Sequence, residues 1–342
     1  MSKTRFAVIG DSLSQGMLNG AVSDTTWSFP AILARSLGLE VPGEFRVPHI
    51  PGPGLPLNLF ELVLHLEKRL GVSPSELDLL TLGLEVARYL DGLETYYEQK
   101  LDGYRPKFGG SFHNLAIWGF SLVESLRLDH KACRRAIEDE EGFIEDDFLG
   151  LPSGPMFRTA SWVLNPHRDS ERARDTQLDA LDRLLRNEPI DVLILWLGAN
   201  DALGTILSVS VKETPDDAGD DPVELLRYNL TGKKRFARDY AEICAEVAGS
   251  LRKRSPNTKV LVGNVPYVTI PPLLCGFGAQ DADGYFERYQ RFFVKEHTSA
   301  GLLLESLPAA SAVALVARAP RAVRHAVRPA GARAGLAALP HA

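Results

Sequence analysis

The apolar run Phe6-Ala7-Val8-Ile9 passes directly into Gly10-Asp11-Ser12-Leu13-Ser14-Gln15-Gly16. That junction constrains the fold more than any other stretch of the chain. It reads as a strand that ends abruptly in small and polar residues, the pattern of a strand-to-helix turn in an α/β sheet. In open α/β sheets ligands sit outside the carboxyl ends of the strands, where the next helix adds unpaired N–H donors and partial positive charge. Gly10 and Gly16 allow a tight turn, and Ser12 stands at its tip.

Asp and Ser are favoured helix caps, so a turn that only caps a helix accounts for an isolated Gly-Asp-Ser. A serine hydroxyl is a weak nucleophile at neutral pH and needs a base and an oxyanion hole before it can do chemistry. Two later stretches bear on that. Asp191-Val192-Leu193-Ile194-Leu195-Trp196-Leu197 reads as a second strand, ending in Gly198-Ala199-Asn200-Asp201. Between the two, His113-Asn114-Leu115-Ala116-Ile117-Trp118-Gly119-Phe120-Ser121 reads as a short strand ending in a glycine.

These three blocks, in this order, resemble the SGNH/GDSL hydrolases, an esterase and lipase family. Gly10-Asp11-Ser12-Leu13 matches the first family block, Gly119 the second and Gly198-Ala199-Asn200-Asp201 the third. The resemblance implies a three-layer α/β/α fold with a doubly wound, flavodoxin-like parallel sheet. It also implies Ser12 as nucleophile, with the backbone N–H groups of Ser12 and Gly119 and the side-chain amide of Asn200 as the oxyanion hole. The chemistry suits those residue types: glycine lets a main-chain N–H approach closely, and an Asn amide donates without a proton transfer.

The family takes its base and orienting acid from a late Asp-x-x-His block, and here the chain departs from it. None of the eight histidines has Asp three places before it. From Ser306 to Ala342 the sequence has no Asp, Glu, Lys, Asn, Phe or Tyr and is dominated by Ala, Arg, Pro, Leu and Val. It reads as a low-complexity, disordered tail after an SGNH-like domain over 1–305. His297, beside Glu296, is the late histidine best placed to substitute. His325 and His341 lie in the tail, and His113 reads as structural. A shifted reading frame or a truncation would explain the replaced segment.

Elsewhere periodicity predicts a helix over 27–38 with Ser28 as cap, then a Pro- and Gly-rich break over 48–56. Amphipathic helices follow over 57–70 and 74–101, with Ser73-Pro74-Ser75-Glu76 as cap, so that a helical insertion spans about 57–110. This insertion is a packed layer or one wall of a pocket, and Tyr96-Tyr97 reads as core. A helix over 121–137, an acidic solvated loop over 138–147, an irregular stretch over 150–170 with His167 at the surface, and helices over 175–187 and 233–255 complete the reading. The parallel strands are placed near 5–10, 114–118, 191–197 and 259–263. The acidic loop around Gly219 is expected near the mouth of the site.

Composition restricts the partners. The net charge of −6 gives no reason to expect nucleic acid or an anionic membrane. The three cysteines, Cys133, Cys244 and Cys275, form neither a disulfide framework nor a Cys-x-x-Cys pair and read as buried thiols. No cofactor or metal is expected, because the acidic run lacks the alternating ligands and turn glycine of a calcium loop. No apolar segment precedes the first strand and no run reaches membrane-span length, so a cytoplasmic chain acting on a small-molecule ester is expected. A nucleotide-binding reading fails because Gly10 to Gly16 lacks the Gly-Lys-Ser/Thr ending of a P-loop. A non-catalytic protein that keeps the pocket for a carboxylate or acylated ligand is the alternative. If the frame did shift, the coding region of the last segment, read in the other two frames, will contain an Asp-x-x-His block; its absence from both would refute the account.

Overall fold

The computed structural model describes residues 3–71, 76–99, 105–143, 154–207, 211–265, 277–280 and 286–288. The described residues fall into two compact units, one within Met1–Asn200, Ala218–Leu225 and Lys233–Asn264, the other within Asp201–Asp217, Leu226–Gly232 and the described residues from Val265 on.

The first unit begins with β1 (Phe6–Gly10), a single-turn helix α1 (Ser12–Gln15), the two-residue strand β2 (Ala21–Val22) and α2 (Phe29–Ser36). Ser28 caps α2 by accepting from the Ala31 N–H, and Pro30 sits in the first turn, where its missing N–H would have had no intrahelical partner. The Pro-rich break contributes β3 (Leu55–Pro56), antiparallel to β2. Next come α3 (Leu59–Leu70) and α4 (Glu76–Gln99), which pack on each other. Asn58 caps α3 through the Phe60 and Glu61 N–H groups, whereas the expected cap Ser73-Pro74-Ser75 lies outside the described residues.

A single helix over 121–137 is not formed. The chain makes α5 (Leu122–Arg127), breaks at Leu128-Asp129, and restarts as α6 (His130–Phe143). Leu128 is extended and fully buried, and Asp129 accepts from the Ala132 N–H at 2.6 Å, so the break is a core anchor followed by a new cap. α6 then runs through Glu138 to Glu141, which are helical and not a loop. The stretch expected to be irregular over 150–170 contains α7 (Pro155–Leu164), entered through Gly154 in the left-handed region with Pro155 at the first position. α8 (Gln177–Asn187), β4 (Val192–Trp196), α9 (Asn200–Leu207), α10 (Pro222–Leu225), α11 (Lys233–Arg254) and β5 (Lys259–Val262) follow. In the second unit Glu213 bridges Leu230, and β6 (Phe277–Gln280) pairs antiparallel with β7 (Phe286–Arg288).

The main sheet is parallel, in the order β1-β4-β5, with Phe6 opposite Val192 and Gly10 opposite Trp196. Residues 113–117 line the other side of β1: Val8 N donates to His113 O (2.8 Å), Leu115 N to Val8 O (2.9 Å) and Ile117 N to Gly10 O (3.1 Å). Only Val8 and Asn114 form a regular bridge, so the strand expected at 114–118 is not a full strand. Its outward N–H groups go to side chains instead, Ala116 to Asn114 Oδ1 and Trp118 to Gln15 Oε1.

Alternation along the strands supplies a core on each face. Ala7, Ile9, Leu193 and Leu195 pack with residues of α5 to α8 and α11, while Phe6, Val8 and Ile194 pack with Ala31 and Ala34 of α2 and with Phe45. Each large side chain so buried contributes about 1.5–3 kcal/mol, and because sheet side chains alternate, a one-residue slip of β1 would exchange the two sets. The helical insertion joins a third cluster. Tyr97 is fully buried, its hydroxyl accepting from the Gly54 N–H at 2.6 Å, in a group with Val22, Leu55 and Trp162. Cys133 is a buried thiol as expected, Cys244 is exposed on α11, and Cys275 lies outside the described residues. Among the described residues no helix is long and apolar enough to cross a membrane.

His113 is structural in this fold. It is buried, its Nδ1 accepts from the Arg46 N–H at 3.0 Å, and its Nε2 lies 3.2 Å from Glu188, which also pairs with the Arg46 guanidinium. Burial pushes the imidazole below its usual range, and the His113 hydrogen bond, aided by Arg46, holds Glu188 down at about 2. The neutral ring is the folded form, so its contribution is complete above the ordinary imidazole range and is lost as the pH falls below it. His113→Asn keeps an acceptor for Arg46. Its stability difference from the parent, measured by urea unfolding, is expected to shrink between pH 7 and pH 5.

Candidate active site

Ser12 opens α1 directly after β1. Asp11 is the cap, its Oδ1 accepting from the Leu13 N–H at 3.1 Å, and Gly16 closes the turn at φ +98°, its N–H donating to Ser12 O. Gly10 lies so close beneath the turn that a Cβ there would sit 2.5 Å from Ser14 Oγ. Gly119 takes φ +81°, and a Cβ on it would meet Met156 Sδ at 2.9 Å, so backbone conformation and space both select glycine. Asn200 begins α9, and its Nδ2 donates to Phe120 O at 2.8 Å.

Hydrogen bonds tie these loop tips together. Gln15, three residues after Ser12, accepts the Trp118 N–H at 2.8 Å; Gly119 follows Trp118; and the next residue, Phe120, accepts from Asn200. Asn114 Nδ2 reaches Ser14 O at 2.9 Å, and Gln177 Nε2 donates to both Gly10 O (2.9 Å) and Leu115 O (2.8 Å). The Trp118 indole N–H is held by Thr159 Oγ1 of α7 at 2.9 Å. Among the described residues, the N–H groups of Ser12 and Gly119 have no acceptor. One of these donors lies on the serine turn and the other on the loop that Gln15 ties to it, both neither fully buried nor fully exposed; main-chain donors without an acceptor are what an incoming oxyanion needs.

No protein-family model, curated protein or solved structure matches this chain. The reading of the site therefore rests on its own residues.

Sequence reasoning missed Gln15, Asn114 and Gln177, the buried amides that fix the loops. Asn114 carried a signal, a polar residue at the head of an apolar run, and Gln177 follows the capping residue Thr176 of α8. Their partners are about 60–170 residues away in sequence, beyond any local pattern.

The described histidines are engaged elsewhere or exposed. His65 faces Glu85 and Tyr89, His113 faces Glu188, His130 bonds Ser161, and His49 is exposed. His167, expected at the surface, is half-buried with its ring edge against Phe108. Among the described residues no side chain hydrogen-bonds the Ser12 hydroxyl, while His297, His325 and His341 lie outside them. No group of three or more His, Cys, Asp or Glu among the described residues could hold a metal ion.

Asp11 is the unusual ionisable group of the turn. It is 1 % exposed, its Oδ2 has no hydrogen-bond partner among the described residues, and burial pushes its carboxyl up to about 6 against the pull of the Leu13 N–H. The protonated acid is favoured in the folded chain, so stability is greatest below the ordinary carboxyl range and is lost as the pH rises through about 6. Asp11→Asn keeps the cap without the charge. Relative to the parent it is expected to gain stability from pH 4 to pH 8, by up to roughly 3 kcal/mol, in urea titrations at both values.

Proposed function

We propose that this chain is a serine ester hydrolase of the SGNH/GDSL type, built on a three-layer, doubly wound, flavodoxin-like sheet, that forms an acyl-enzyme on Ser12. Ser12 Oγ attacks the ester carbonyl and gives up its proton to solvent water, and the carbonyl oxygen becomes an oxyanion facing the N–H groups of Ser12 and Gly119 and the Asn200 amide. Collapse of the tetrahedral intermediate breaks the bond to the alkoxy oxygen, which takes a proton from water and leaves as the alcohol; a second water then attacks the acyl-enzyme, releasing the acid and returning a proton to Ser12 Oγ. The observation that carries this reading is the run of hydrogen bonds from the serine turn through Gln15 and Trp118 to Phe120 and Asn200, with the N–H groups of Ser12 and Gly119 left without an acceptor among the described residues.

The proton acceptor is not supplied by any described histidine, which sets the expected rate. Loss of a triad member leaves an oxyanion hole and binding, roughly 10³–10⁴-fold over water. The same observation favours a second reading, a non-catalytic protein that retains the pocket for a carboxylate or acylated ligand.

Turnover of p-nitrophenyl acetate and butyrate should exceed that of Ser12→Ala, and Asn200→Ala should lower it by about 10²–10³ if its amide faces the oxyanion. A fluorophosphonate should label the parent chain and not Ser12→Ala. Equal rates for parent and Ser12→Ala, with ligand binding but no labelling, would assign the binding role.

A further inference from the structure

The first two turns of α3 carry apolar side chains on two sides. One side meets α4, where the His65 ring lies 5.1 Å from that of Tyr89. The other holds Leu59, Phe60, Val63 and Leu64, which the step of about 100° per residue gathers into one stripe. All four are exposed, Phe60 at 56 %, and no residue of α3 is buried. A contiguous apolar stripe in water marks a surface that meets an apolar partner.

The stripe is joined to the serine turn. Met17 N donates to Ser12 O at 3.1 Å, Leu18 and Ala21 exchange N–H···O bonds of 2.8 and 3.0 Å, and Leu59 N donates to Asn19 O at 2.8 Å. A Cβ on Gly20 would lie 3.7 Å from Leu59 Cγ. Leu13, next to Ser12, and Leu18 on the hairpin are themselves exposed, and Ser12 to Gly20 contains no charged residue. On the other flank a Cβ on Gly16 would sit 2.7 Å from Ser28 Cβ, which puts the preceding Trp27, 63 % exposed, beside the turn. Charge stands at the border of this surface: Glu67, Lys68 and Arg69 follow the stripe, Glu61 lies to one side of it, and the Arg35 guanidinium lies 5.2 Å over the Trp27 ring.

We propose that this surface docks the chain onto a neutral lipid layer, with Phe60 and Leu64 inserted among the acyl chains and Leu13, Leu18 and Trp27 at the boundary. An amphipathic helix sinks about 5–10 Å into such a layer, to the depth at which headgroup and acyl chain meet, and that is where a glycerolipid holds its ester groups. Lys68, Arg69 and Arg35 have the aliphatic reach to keep their charges among the headgroups. The net charge of −6 works against an anionic layer, so attachment comes from apolar burial. A protein seated on the same surface closes over the serine turn, whereas a lipid layer delivers esters to it; this choice of occupant rests on the reading of Ser12 as nucleophile.

The test is flotation of the intact chain with phosphatidylcholine vesicles. The parent and Ser12→Ala are expected to float alike, and Phe60→Ser/Leu64→Ser to partition about tenfold or more weakly, while Val223→Ser, an exposed apolar position on α10, changes nothing. Circular dichroism melts establish that the variants are folded. Brominated phosphatidylcholine should quench part of the parent's tryptophan emission, and that part should be missing in Trp27→Phe, a readout that needs no change on α3. Docking without fluorophosphonate labelling of Ser12 would sink the hydrolase reading and leave the docking surface in place. No flotation of the parent, equal flotation of the folded Phe60→Ser/Leu64→Ser, or flotation with phosphatidylglycerol vesicles alone would each overturn the proposal. A dimer in sedimentation velocity that Phe60→Ser/Leu64→Ser dissociates, with no flotation, would assign the surface to a second copy instead.

Discussion

The carbonyl oxygen of Gly10 is the point on which the rest of the molecule's first unit depends. It accepts from Ile117 N on one side and from the Gln177 carboxamide on the other, and the same carboxamide donates to Leu115 O. Gln177 is fully buried, so each of these groups would cost about 1–3 kcal/mol if left unpaired. Hydrophobic packing on the two faces holds the sheet together, but it is non-directional and cannot fix where a strand end points. Gln177, with Asn114 and Gln15, supplies the direction. Through them the serine turn and the Gly119 loop have one position relative to each other.

The strands and the loop tips were legible because their signals are local. An apolar run that stops at Gly-Asp-Ser or Gly-Ala-Asn-Asp announces both the strand and its end, and β1, β4 and β5 lie within a residue or two of where periodicity puts them. Helices with a cap and a clear stripe, such as α2, α8 and α11, were equally readable. The errors came where long-range contacts overrule local pattern. Leu128 leaves the helical path because the core takes its side chain. α7 forms in a stretch whose Gly154 and Pro155 look like breakers, and Pro155 in fact starts the helix. The 114–118 segment has a strand's composition but spends its outward donors on side chains.

α7 touches both the Gly119 loop and the helical insertion. Met156 lies over Gly119 and Thr159 holds the Trp118 indole. Trp162 of the same helix packs with Tyr97 of α4. The helical insertion is thereby part of the support under the Gly119 loop.

The order in which the chain is made bears on how it can fold. β1 is synthesised near the start, yet Ser14 finds Asn114 only after 100 further residues, Gly10 finds Gln177 after 167, and Arg5 finds Asp191 after 186. A nascent chain leaving the ribosome therefore carries Phe6 to Ile9 without their strand partner β4 while more than half of the polypeptide is being translated. Closing such wide loops is slow and exposes apolar backbone to other chains. β1 is the first strand to emerge and its strand partner β4 is made much later, which makes the early segment a natural client for a chaperone that shields extended apolar peptide.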